Sequence, residues 1–135
     1  MTETELNRVW KLKIDFEFEE RTLQGMRETG IRITPSYSER CTSGNNDSPV
    51  ENLVLRITEK EKQIEKLKIS LSEAMTRLEE KISELVEERR ARQILLFRYV
   101  DCMKFGDISR ILNYSEKHIR RLHKKAKTEL LERRD

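Results

Sequence analysis

Residues 95–131 read LLFRYVDCMKFGDISRILNYSEKHIRRLHKKAKTELL. An apolar segment ends at Phe97-Arg98-Tyr99, and a short polar break containing Gly106 follows. The run from Asp107 to Leu112 reads as a short helix, Asn113-Tyr114-Ser115 as a turn, and the residues from Ser115 onward as a strongly basic helix. Two short helices joined by a tight turn, the second basic, form the pattern of a helix-turn-helix.

Such a head needs a core, and the spacing supplies three walls for one. Ile82, Leu85, Val86, Ile94, Leu95 and Tyr99 form the first, and Ile108, Ile111 and Leu112 the second. Ile119, Leu122, Ala126 and Leu130 form the third, at helical spacings of three and four. The head must therefore borrow apolar residues from upstream, at least from Ile82. Ser115 is a good N-cap for the last helix, because its hydroxyl oxygen can accept from a backbone N–H of the first turn.

The charge is distributed unevenly. Residues 89–135 carry 14 Lys and Arg against 6 Asp and Glu, a net of +8, whereas residues 1–88 carry 14 against 19, a net of −5. An acidic arm bearing a basic tail suggests that the tail meets a polyanion. Charged residues are 39% of the chain and aromatics only 6%, which suits long charged helices with narrow apolar stripes better than a compact α/β fold.

Working outward, residues 2–26 read as a first helix, with Leu6, Val9, Trp10, Lys13, Phe16 and Leu23 near one face and Ile14 and Phe18 beside it. Packing against the next helix is the expected use of Trp10. Residues 27–47, with Gly30, Pro35, Gly44 and several Ser and Thr, read as a flexible linker. Ser48-Pro49-Val50-Glu51 announces the next helix, with Ser48 as cap, Pro49 in the first helical position and Glu51 three residues after the cap. From there Val50, Ile57, Ile64, Leu71, Leu78 and Leu85 recur every seven residues, and Leu53, Leu67, Ala74, Met75 and Ile82 partly fill a second seam that Lys60, Glu61 and Lys81 interrupt. A seven-residue repeat calls for coiled-coil-like packing. Its acceptor is either the first helix, folded back antiparallel, or a second copy of the chain. The expected fold is all-α: an N-terminal helix and a long coiled-coil-like helix forming a hairpin arm (1–81), then a helix-turn-helix head (82–135).

On the basic helix, Ser115, Glu116, Lys117, His118 and Arg121 project from its start away from the Ile119 and Leu122 face. That is where a recognition helix presents side chains to base edges in the major groove. Arg120, Lys124 and Lys125 suit phosphates, and Lys104, Ser109 and Arg110 suit the backbone near the first helix of the motif. The partner is then double-stranded DNA.

Arg98-Tyr99, the polar break, Phe105-Gly106-Asp107-Ile108-Ser109, the turn with Ser115, Ile119-Arg120-Arg121-Leu122 and the stretch from Ala126 to Leu130 resemble region 4 of sigma-70-type factors. The layout as a whole resembles small phage and prophage regulators of the ArpU/RinA type. The resemblance covers the head, and for the arm it is one of architecture only. It implies a transcriptional regulator in the bacterial cytoplasm, at the nucleoid, in contact with host RNA polymerase. Ile111-Leu112-Asn113-Tyr114 stands where the family has Leu-Gly, so Asn113 is expected to open the turn. Nothing resembles sigma region 2, so promoter melting is not implied. A small terminase-like packaging subunit and a helical protein-interaction module are the alternative readings.

Catalysis is not expected. His118 and His123 lie five apart on a helix, off a common face, and Cys102 is not spaced to join them. No metal site and no cofactor are foreseen. No apolar run approaches the length of a membrane span.

Overall fold

The computed structural model describes residues 1–40 and 49–132, and every regular element among them is helical. The elements are α1 (Glu3–Arg40), α2 (Pro49–Leu85), α3 (Arg89–Leu95), a π-helical turn (Leu96–Val100), α4 (Phe105–Leu112) and α5 (Glu116–Glu132). The all-α expectation holds.

The chain divides into two compact units, Met1–Lys13 with Ser70–Asp135, and Ile14–Ile69. This differs from the division at 81/82 read from the sequence. The cause is visible at the N-terminus: Leu6 and Val9 are fully buried and share one core with Ala74, Leu78, Ile82, Leu95, Tyr99, Val100, Ala126 and Leu130. A second core of the same unit joins α3, α4 and α5 through Ile94, Ile108 and Ile119, all fully buried, with Phe97, Phe105, Leu112, Tyr114 and Leu122 packed around them. Ile111 was expected in this core and is 57% exposed. Ile108 and Leu112, four apart on α4, take the inward positions and leave Ile111 at the edge.

Trp10 packs against the core that holds Ala74, Leu78 and Ile82 of α2, and it makes a further contact. Its Nε1–H donates to the carbonyl of Arg98 at 2.8 Å. The last carbonyls of a helix lack intrahelical acceptor duty, and a side-chain donor stabilises one that is partly buried. The π turn closes with the Asp101 N–H donating to Leu96 O at 3.1 Å, one residue further back than an α-helical bond. Cys102 then takes φ 55°, outside the range comfortable for a non-glycine residue.

Among the described residues of the second unit Leu23, Leu53 and Ile64 are buried hydrophobics, while Ile14 (58%), Phe18 (65%), Val54, Leu55 and Ile69 are exposed. Lys60 pairs with Glu19 at 2.7 Å and Arg27 with Glu61 at 3.3 Å. α1 does not end near Met26 but continues to Arg40, so residues 27–40 of the expected linker are helical. The Thr29 hydroxyl bonds to Gly25 O at 2.9 Å, and a Cβ on Gly30 would stand 3.2 Å from the Leu53 side chain. Gly30, read as a breaker, is a close-packing position instead. Residues 41–47 of that linker, and the Ser48 cap, lie outside the described residues. Pro49 begins α2 as its position suggested.

Candidate nucleic-acid interface

The site begins with a turn. α4 ends at Asn113, which adopts the left-handed conformation (φ 62°, ψ 36°) with its N–H on Ser109 O. Asparagine tolerates this region, where most residues clash, and so does the work of the glycine that the sequence lacks here. The Tyr114 N–H also reaches Ser109 O, at 3.2 Å, and the Ser109 hydroxyl donates to Tyr114 O. Ser115 then caps α5, its Oγ accepting the His118 N–H at 3.2 Å and its carbonyl accepting the Ile119 N–H at 3.0 Å. Ile119, Ala126 and Leu130 are buried, which fixes the inner face of α5 and turns the rest outward.

Ser115, Glu116, Lys117, His118 and Arg121 all lie at the start of α5. Ser115, Glu116, Lys117 and Arg121 are exposed, and His118 is half-buried. Their side chains are partly committed to one another. Glu116 pairs with Arg120 at 2.7 Å, and Arg121 Nη2 donates to His118 Nδ1 at 2.7 Å. A guanidinium can only donate, so Nδ1 accepts and the imidazole proton sits on Nε2. Of the residues assigned to phosphates, Lys104, Arg110, Lys124 and Lys125 are exposed, with Arg110 3.7 Å from Asp107. Arg120 lies over the Phe105 ring at 4.8 Å. Ser109 is half-buried, and its hydroxyl donates to Tyr114 O, closing the turn.

Behind this surface stands an aromatic and guanidinium hub that spacing did not single out. The Arg98 guanidinium is 4.2 Å from the Phe105 ring and 5.0 Å from that of Trp10, and its Nη1 donates to Met103 O at 2.9 Å. His123 meets Phe105 edge-on at 4.9 Å and shares a 2.7 Å hydrogen bond with the Tyr99 hydroxyl. Burial, with Arg98 and Lys127 adding repulsion, pushes the His123 imidazole down to about 4, and burial pushes the Tyr99 phenol up. The only sequence signal for this hub was the clustering of the scarce aromatics at Phe97, Tyr99 and Phe105.

No protein-family model, curated protein or solved structure matches this chain.

Lys117, Arg121, Lys124 and Lys125 are exposed cations on one helix, in the part of the chain with the net positive charge. Lys127 is set apart from them by its 3.0 Å pair with Glu3, which holds its ammonium above the usual range. Among the described residues, no group of three His, Cys, Asp or Glu is placed to hold a metal ion. No helix among them is long and apolar enough to cross a membrane.

Proposed function

We propose that the chain is a sequence-specific DNA-binding transcriptional regulator of phage or prophage type, without enzymatic activity. In this reading α4, the Asn113 turn and α5 form a helix-turn-helix similar to sigma-70 region 4, and the start of α5 enters the major groove. The observation that carries it is the set of exposed cations on α5, on a helix whose cap and buried inner face hold it in one orientation. Cations held this way bind phosphates strongly at low salt, and side chains at the helix start reach base edges. Lys104 and Arg110, exposed at opposite ends of α4, suit phosphates flanking the groove.

The remainder of the chain is proposed to serve as an antiparallel helical arm. Glu5 with Lys81, Glu19 with Lys60 and Gly30 beside Leu53 are pairings of helices that run in opposite directions. A homodimer through this arm and contact with host RNA polymerase belong to the same proposal, the latter on the resemblance alone.

Fluorescence anisotropy with a labelled random-sequence duplex, titrated from low to high salt, tests the reading. Each lost phosphate contact flattens the slope of log affinity against log salt by about 0.9. The double variant Lys124→Ala/Lys125→Ala is expected to flatten it by about 2. Failure of the wild-type chain to bind any duplex at low salt contradicts the proposal.

A further inference from the structure

Four side chains from three segments form a continuous series at the start of α5. The Arg90 guanidinium, from the first turn of α3, stands 5.4 Å from the centroid of the Tyr114 ring. Tyr114, in the turn, meets the His118 ring edge-on at 4.9 Å with an interplanar angle of 85°. His118 Nδ1 in turn accepts from Arg121 Nη2 at 2.7 Å. Arg90 is itself steadied by a 3.0 Å bond from Nη1 to the Gln93 amide oxygen. The ring of Tyr114 is half-buried against the α3–α4–α5 core, so the middle of the series is fixed by packing.

We infer that Arg90 and Tyr114 are positioning residues that set base preference through His118 and Arg121, and that the base so read is a guanine. The inference rests on the DNA-binding reading above and deepens it. An exposed arginine on a helix otherwise samples many rotamers, and restricting it before binding removes an ordering cost. The tether occupies one N–H of Arg121 Nη2, and the side chain is exposed, so its other donors remain available. The group that accepts two parallel N–H bonds from a guanidinium in the major groove is the O6/N7 edge of guanine. Tyr114 aims the His118 ring, His118 aims Arg121, and Arg90 holds Tyr114 by its face. Glu88, Arg90, His118, Lys125 and Glu129 line one open surface depression between α3 and α5. Glu88 is occupied in capping α3, accepting from Arg90 N–H at 3.1 Å and Ala91 N–H at 2.6 Å.

The test selects a preferred duplex from a randomised library with the full wild-type chain. Affinities are then measured for that duplex and for single base-pair replacements in it. Arg121→Ala identifies the base pair that Arg121 reads, which is expected to be a G·C pair favoured about tenfold. Tyr114→Leu and Arg90→Ala are expected to lose most of that preference at the same pair, with the salt slope unchanged. Tyr114→Phe, which keeps the ring, retains it. Because Tyr114→Leu also touches the core, Arg90→Ala, on the outer side of the ring, carries the decision if the leucine variant unfolds. Unchanged preference in Arg90→Ala and in a folded Tyr114→Leu, or a pair other than G·C at the Arg121 position, overturns the inference while leaving DNA binding intact. A wild-type chain that binds no duplex at low salt takes both down.

Discussion

The same two long helices run through both units of the molecule, and they are held by different means in each. In Met1–Lys13 with Ser70–Asp135, two cores contain eight large side chains with almost no exposure, among them Leu6, Ile82, Leu95, Ile108 and Ile119. Arg98 adds contacts to Trp10, Phe105 and Met103. Among the described residues of Ile14–Ile69 the buried hydrophobics are Leu23, Leu53 and Ile64, and the ion pairs Lys60–Glu19 and Arg27–Glu61 join the helices. A heptad stripe says that a helix has a buried face. How much that face is worth depends on what packs there.

The largest expected contrast is between core truncations. Leu95→Ala, in the first unit, should cost about 3 kcal/mol or more in denaturant unfolding, since a full side chain is removed from a site with rigid walls. Leu53→Ala, in the second, should cost about half as much, because a two-helix layer collapses onto the vacated space more easily. Equal costs would break the comparison. Next comes Trp10→Phe, which leaves the Arg98 carbonyl without its indole donor and should cost about 1–2 kcal/mol. Trp10 is the chain's single tryptophan, so selectively excited tryptophan fluorescence reports on the first unit.

His123 supplies a pH dependence of the same unit. Its folded-state value of about 4 lies below the ordinary 6.5, so the unfolded chain binds the proton first as pH falls. Stability is therefore full above about pH 6.5 and lost as pH falls from there toward about 4. The ring is only half-buried, so after solvent screening the effect should be about 1 kcal/mol. Urea midpoints of wild type and His123→Phe between pH 7 and pH 4 check it, and the variant should show the smaller fall. The smallest effect is expected at Lys60. Its pair with Glu19 is partly exposed, and Lys60→Leu should change stability by less than about 1 kcal/mol, because an apolar residue fits the seam about as well.

Periodicity made some of this legible. The seam of α2 is where the stripe placed it, and the two lysines that interrupt it, Lys60 and Lys81, are both met by glutamates of α1. The chemistry of Ser115 and Asn113 announced the cap and the turn, and α5 starts where they put it. Other features have no local signature. That Trp10 also donates to the carbonyl of Arg98 depends on tertiary partners. A π turn differs from an α-helix by one residue of hydrogen-bond register, which no spacing records. Ser109 looked like a surface hydroxyl because its partner, Tyr114 O, is backbone. Arg90 and Tyr114 matter through ring geometry, which composition does not contain.

Amide hydrogen exchange of the full chain with and without a preferred duplex tests the central claim most directly. Added protection is predicted in α4, the Asn113 turn and the first turns of α5, with little change over Ile14–Ile69. Protection confined to Ile14–Ile69, or none anywhere at a duplex concentration that saturates binding, would contradict it.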